Sequence, residues 1–483
     1  MIPGSLGELS VYERSVVSHE GAAYFLAHDP TRGERFLVVQ GEAAGFSGER
    51  QGDKLLCPPA PHNAAVLAAR LPWLNPAPLG LRTSAGFGDR LGLATPGHAQ
   101  AAEGAGVAPV FAQQSVRENA RTGRTPQQVL DDARWGVFQA GWRAAWGADA
   151  DHLKTPDAIT PFVTAGYSFF TIDPGDHVDP LADADAEAAL RAKVEALPWT
   201  QLDSAPGDLA ARFLGRSFDL SDRALTFDEP TLLRAAAKYG RALAHIARMG
   251  EALRALTGGA AVDLEISVDE TETPTTIHEH LFLATELRRL GVVWISLAPR
   301  FVGRFEKGVD YLGDLSALDR DLAGHAAVMR FAGGYKLSLH SGSDKFSVYP
   351  LAARHAEGAV HLKTAGTSYL EALRVWAEVD PAAFREVLDF ARAHYDADRA
   401  TYHVSADLQE VPAGDTLEDG ALPGLLDQFA ARQVLHVTFG SVLDRFGGRL
   451  RATLRAHESR YHALLRRHFA RHLEPFASQH EGA

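Results

Sequence analysis

The stretch Lys336-Leu-Ser-Leu-His-Ser-Gly-Ser-Asp-Lys345 joins a strand-like alternation to a polar turn. Successive strand side chains point to opposite faces, so Lys336, Ser338 and His340 share one face while Leu337 and Leu339 share the other. The leucines then pack on an outer shell and His340 looks inward, with Asp344 and Lys345 close behind. Gly342 suits a near approach of backbone to substrate. A histidine here either serves chemistry or caps a turn, and the adjoining Asp344 and Lys345 favour chemistry. A second run, Val262-Asp-Leu-Glu-Ile266, has the composition of a buried strand, with Asp263 and Glu265 on one face. A buried carboxylate needs a cation, either a metal ion or an internal lysine such as Lys336 or Lys363. Asp173, His340 and His403 offer further carboxylate and imidazole groups. With Glu265 they make a mixed oxygen and nitrogen set suited to one divalent ion, Mn²⁺, Zn²⁺, Ni²⁺ or Fe²⁺, rather than Ca²⁺.

These groups lie on different runs, so the fold must gather them. From about residue 86 the chain alternates short apolar runs with amphipathic stretches such as 280–290 and 369–379. The expected strands are Arg90–Leu93, Val110–Ala112, Phe169–Ile172, Val262–Ile266, Val292–Leu297, Lys336–Leu339, Val360–Leu362 and Tyr402–Val404. Strands alternating with helices imply parallel βαβ units, and eight of them imply a TIM-type (β/α)8 barrel of the α/β class; a miscount by one would leave an open sheet. The carboxyl ends of such strands collect the active site. The groups found there are Gln113, Asp173, Asp176, Glu265, Ser267, Asp269, Glu270, Arg300, His340, Asp344, Lys345, Lys363, His403, Ser405 and Asp407. Burying so many polar groups without partners would cost several kcal/mol each, so they are expected to converge on a ligand or metal. Residues 1–75 read as a separate β-rich region with Asp-Pro and Gly-rich turns, and 76–483 as the barrel. A helical insertion, about 181–258, is expected after the third strand, and a C-terminal helix, about 448–470, docks outside.

Composition narrows the classes. The 483 residues carry a net charge of −13, which disfavours nucleic acid as a partner, and no apolar run nears the ~20 residues a membrane span needs. The single cysteine, Cys57, permits no internal disulfide, and Met1–Glu8 show no secretory signal, so a cytoplasmic location is expected. Many of the 21 histidines, including those between Arg455 and His480, read as solvated. His278-Glu-His280 is not a zinc helix motif, and Glu279, three residues after Thr276, reads instead as a capping box. The glycines of Gly86–Gly92 miss the dinucleotide spacing, and neither a phosphate-binding loop nor a Gly-x-Ser-x-Gly elbow occurs. Trp135, Phe138, Trp142 and Trp146 repeat at helical spacing and read as a packing face.

Four blocks carry a family resemblance: Gly86-Phe-Gly-Asp-Arg-Leu-Gly-Leu-Ala-Thr-Pro-Gly97, Ser296-Leu-Ala-Pro-Arg-Phe-Val-Gly303, Tyr335-Lys-Leu-Ser-Leu-His-Ser-Gly-Ser-Asp-Lys-Phe346 and Lys363-Thr-Ala-Gly-Thr-Ser-Tyr-Leu-Glu-Ala-Leu-Arg374. They resemble the tagaturonate epimerase family of hexuronate catabolism over about residues 80–410, with nothing matching in the first 75 residues or the tail. The resemblance implies a metal-dependent isomerase interconverting tagaturonate and fructuronate, or the neutral pair tagatose and fructose. The inverted carbon lies one beyond the carbon next to the ketone, so enolisation cannot reach it. A retro-aldol/aldol route can, given electrostatic support for the enediolate. On this reading Glu265, His340, Asp173 and His403 hold the ion, and Lys363, Asp269 and Asp344 move protons and orient hydroxyls. Arg300 and Lys345 take a carboxylate, while Gln113 and Ser338 bind sugar hydroxyls. The partner is then a small sugar or sugar acid, and a homo-oligomer is compatible with the sequence. Two rival readings are an aldolase that releases the fragments and a non-catalytic sugar-binding barrel.

Overall fold

The computed structural model describes residues 9–29, 33–220 and 223–477. The Met1–Glu8 stretch, the turn expected at Pro30–Arg32 and His480 lie outside them. An antiparallel sheet comes first: β1 (Ser10–Val11), β2 (Val17–His19), β3 (Ala22–Asp29), β4 (Glu34–Gln40), β5 (Glu49–Gln51) and β6 (Lys54–Cys57). Its order is β1-β3-β4-β6-β5, with β2 on β3. Helix Pro61–Arg70 follows, started by a proline whose missing N–H costs nothing in the first turn. The sheet is tied to the rest of the chain by Tyr12, whose hydroxyl donates to Glu458 at 2.8 Å, and by Arg35, which donates to Gln139 at 2.7 Å.

Eight parallel strands then close into a barrel: β7 (Ser84–Gly86), β8 (Ala108–Ser115), β9 (Gly147–Leu153), β10 (Phe169–Ile172), β13 (Asp263–Ser267), β14 (Ser296–Ala298), β15 (Lys336–Leu339) and β16 (Val360–Lys363). Between β10 and β13 stands a hairpin, β11 (Ser217–Asp219) with β12 (Ala224–Thr226). The barrel has eight strands as expected, but two of the expected members differ. Arg90–Leu93 is a loop, organised by Asp89, whose carboxylate accepts the N–H groups of Leu91, Gly92 and Ala94. The first strand ends just before it, at Gly86. Tyr402–Val404 is not in the barrel, and its place is taken by β9, a run of Gly-Ala-Asp-Ala-Asp-His-Leu. The expected strand Val292–Leu297 shortens to β14, with Val293 79% exposed before it.

Because β9 precedes it, the long connection after Ile172 follows the fourth barrel strand, not the third. It holds the short helices Glu187–Glu195 and Pro206–Phe213, the hairpin, and the 28-residue helix Glu229–Leu256. That long helix is capped by Asp228, which accepts the Thr231 N–H, and packs beside Ile277–Arg289 as an ordinary barrel helix. Ile277–Arg289 starts with the expected capping box between Thr276 and Glu279. At the C-terminus two helices, Phe439–Ala456 and Glu458–Ala477, replace the single one expected over 448–470. The second lies on helices Thr95–Ala102 and Thr367–Val379 and buries His462, His468 and His472, which are therefore not solvated.

Candidate functional site

The barrel interior changes character along its axis. At the bottom, Asp263 accepts the Leu79 and Gly80 N–H groups, Lys336 donates to Ser84 at 2.8 Å, and His361 stacks on Phe169. Burial pulls the Lys336 ammonium down to about 8. Asp263 and Lys336 thus close the base rather than meet a ligand.

One layer higher, β9, β10, β13 and β16 turn Asp149, Thr171, Glu265 and Lys363 inward. The Lys363 ammonium lies 2.8 Å from Asp149, 2.8 Å from Asp151 and 3.0 Å from Glu265, and donates to Thr171 at 2.7 Å. The cation needed by Glu265 is therefore an internal lysine. Burial opposes the Lys363 charge, but the three carboxylates overrule it and raise its pKa well above the ordinary lysine value. Ringed by three carboxylates, Lys363 is placed as a fixed cation rather than in the proton-transfer part expected of it. Burial, reinforced by Asp151 and Glu265, lifts the Asp149 carboxyl to about 7, while Lys363, His152 and His340 hold Asp151 ionised.

The rim is where the strand ends meet. His340 Nδ1 is 3.1 Å from Glu265, and its Nε2 is 2.9 Å from His152 Nε2 and 3.3 Å from Asp151. His152, in the left-handed region at φ +58°, turns Nδ1 to Asp173 at 3.1 Å, with Glu270 3.6 Å from its Nε2. Burial works against a charge on His152, but Asp151, Glu270 and Asp173 together lift its imidazole to about 10. Burial likewise pushes Glu270 up, and His152, Lys307 and Arg117 hold it well below its usual range. Among the described residues, Asp151, His152 and His340 present ligand atoms near enough to hold an ion, as do His152, Asp173 and Glu270. Two imidazoles with carboxylates fit a borderline transition-metal ion better than an all-oxygen calcium site.

Above the rim opens a cavity of about 340 Å³ lined by Arg117, Asp269, Glu270, Arg300, Lys307, Ser338, His340 and His403, among others. Asp269 accepts from Ser267 at 2.6 Å and stands 3.9 Å from His340. Arg300 donates to the Asp269 carbonyl and leaves its Nε without a partner. Ser338 is buried with an unpartnered hydroxyl, and Gln113 donates to Asp151 at 3.2 Å. His403 is exposed on the cavity wall and joins neither trio. Glu265, below the rim, has one oxygen on Lys363 and His340 and the other on Ser296.

Two expected site residues turn away. Lys345 is fully buried, and its ammonium donates to the carbonyls of Glu306, Val309 and Ser343, so it has no donor left for a substrate carboxylate. Asp344 points outward, its carboxylate on Arg432 at 2.7 Å and His468 at 3.3 Å, beyond reach of a sugar in the barrel mouth. Gly342 serves packing rather than substrate approach, since a Cβ there would lie 2.4 Å from the Leu339 carbonyl. Sequence reasoning passed over Asp149, Asp151 and His152 because β9 itself was passed over. Its signal was the Asp-x-Asp alternation, a strand pattern in acidic residues.

The tagaturonate epimerase family model matches residues 12–476, so the N-terminal sheet and the C-terminal helices fall within the likeness. A curated relative from Thermotoga maritima, named tagaturonate/fructuronate epimerase, is 42% identical over 473 residues, 96% of each chain. The native crystal structure of a fructuronate-tagaturonate epimerase from Cohnella laeviribosi superposes with a TM-score of 0.93 at 37% identity, covering 97% of each chain. A form of that enzyme with one glycerol gives 0.92, covering 97% of this chain and 96% of that one. With this barrel, this rim and these relatives, the chain belongs to the tagaturonate epimerase family and is an isomerase-type enzyme.

Proposed function

We propose that this enzyme interconverts tagaturonate and fructuronate by retro-aldol/aldol chemistry, with one divalent ion bound at the rim. The observation that carries the reading is the meeting of Asp151, His152 and His340 beneath the cavity, with His340 Nε2 2.9 Å from His152 and 3.3 Å from Asp151. Asp151, His152 and His340 would hold the ion, with Asp173 orienting His152 as carboxylates orient metal-bound imidazoles. The ion, when bound, supplies Lewis-acid stabilisation of the oxygen charge that develops on the ketone half.

The chain's own residues do the rest. Asp269, on the cavity wall, takes the proton of the hydroxyl on the inverting carbon. That carbon becomes an aldehyde as its bond to the neighbouring carbon breaks, turns its other face, and receives the bond back as Asp269 returns the proton. Lys363 holds Asp149, Asp151 and Glu265 in place from below. Arg117, Arg300 and Lys307 line the cavity as cations, which supports a uronate over a neutral ketose because a carboxylate rewards charged donors.

The test follows both sugars by NMR on chelator-treated protein. Epimerisation should stop and should return with Zn²⁺, Mn²⁺, Ni²⁺ or Fe²⁺. Full turnover by metal-free enzyme refutes the metal-assisted route, and accumulation of separated fragments would make the enzyme an aldolase.

A further inference from the structure

The C-terminal helix Glu458–Ala477 carries His468 and His472 at a spacing that stacks them on one helix face. Both are buried, and both face Asp344 on the turn that follows β15. Asp344 sits at φ +58°, and its carboxylate faces the helix. One carboxylate oxygen is taken by Arg432 at 2.7 Å. The other has no hydrogen-bond partner, nor has His468 Nε2, and these two buried atoms stand 3.3 Å apart. His472 Nε2 is 3.8 Å from the same oxygen.

We propose that Asp344, His468 and His472 form a second divalent-cation site, separate from the barrel mouth, that fastens the turn after His340 to the C-terminal helix. The three ligand atoms lie within 4.8 Å of one another. Ligand separations of 3.3–3.8 Å need little contraction to surround an ion at the ~2.0–2.1 Å bond lengths of zinc. The outer ring nitrogen of His472 is held as a metal-bound imidazole requires. His472 Nδ1 is 3.0 Å from the His468 carbonyl and donates to it, and His468 Nδ1 is 3.6 Å from Glu371. The His472 Nε2 lone pair is thereby turned toward Asp344, and His468 Nε2 faces the unpartnered Asp344 oxygen. His472 Nε2 now accepts the Asp344 N–H at 3.1 Å, a bond the ion would replace. A cavity of about 560 Å³ opens onto the site, lined by Asp344, Glu371 and His468 and also by Arg374, Arg432, Arg467 and Arg471. Arg432 does not close the site, because its other donors are spent on the Gly308 and Leu426 carbonyls.

The test is zinc stoichiometry on the full chain. Chelator-stripped protein is dialysed against Zn²⁺ and its metal measured by mass spectrometry, beside His468→Gln/His472→Gln and His340→Ala proteins. The double variant should bind one equivalent less than wild type, while His340→Ala keeps that equivalent. In His340→Ala protein Co²⁺ should likewise give a visible absorption band, and adding His468→Gln/His472→Gln should remove it. A double variant with the wild-type zinc content overturns the proposal, whatever His340→Ala shows about the rim. Should the double variant lose its helical circular dichroism, His468→Gln alone is measured, and unchanged zinc in that protein overturns the proposal equally.

Discussion

Replacing Lys363 with methionine keeps the length of the side chain and removes its charge from among three carboxylates at 2.8, 2.8 and 3.0 Å. Asp149, Asp151 and Glu265 are each at most 5% exposed at the side chain, so water cannot take over the role of the ammonium. The escape open to the variant is to fold with one further proton, on Asp151, since Asp149 already titrates at about 7 with the lysine in place. An unfolded aspartate titrates near 3.9, and each pH unit above that adds about 1.4 kcal/mol to the cost of keeping the proton. At pH 7 the loss is about 4 kcal/mol, in line with the ~3–5 kcal/mol for breaking a buried ion pair. At pH 5 it falls to about 1.5 kcal/mol. The sign follows from a folded pKa raised above the unfolded one: stability is present at low pH and lost as pH rises through the folded value. Urea unfolding of chelator-treated wild type and Lys363→Met at both pH values reads the difference. A loss below about 1 kcal/mol at pH 7, or one that does not shrink at pH 5, would show that Lys363 does not hold the barrel's acidic layer together.

Asp321 tests burial in the opposite direction. Burial lifts its carboxyl to about 6 against the Val302 N–H that it accepts, so ionising it costs stability as pH rises through 6. Asp321→Asn should stabilise the protein by up to about 3 kcal/mol at pH 7.5, with the gain fading below pH 5; an equal effect at both would contradict it. Gly342→Ala places a Cβ 2.4 Å from the Leu339 carbonyl and 3.1 Å from that of Lys363, so the turn carrying His340 must move. Turnover should fall at least about tenfold, and wild-type kinetics would remove the packing argument. Arg300→Met should raise KM for a uronate by roughly 10–100-fold, the worth of a charged hydrogen bond, and leave a neutral ketose unchanged. Equal effects on both sugars would place the carboxylate elsewhere.

The barrel was legible because its period survives in the sequence: apolar strands such as Phe169–Ile172 and amphipathic helices such as Ile277–Arg289 alternate along the chain. What failed was the apolar criterion itself. In β9, Ala148 and Ala150 alternate with Asp149 and Asp151, all four buried. A strand whose inward face is acidic is stable because Lys363 and Thr171 arrive from other strands, and nothing near residue 150 announces them. Tyr402–Val404 shows the converse, a β-prone run with no place in the barrel.

The same physics divides the site residues that could be read from those that could not. Alternation along β15 rightly turned His340 inward, because inside a strand the side-chain direction is local. At His340, the residue directly after the strand, the alternation still holds, but a few residues further into the turn the rule lapses. Asp344 and Lys345 were read as functional for their chemistry, yet one turns outward to Arg432 and His468 and the other spends its charge on three carbonyls. An ionisable residue in a turn after a strand can meet the barrel mouth or the helical shell, and at Asp344 it meets the shell. The partners that settle the matter, Arg432 and His468, stand 88 and 124 residues further along the chain. The His340 turn therefore has two chemical faces, and the tail histidines, read as solvated from their mixture with arginine, belong to the outer one.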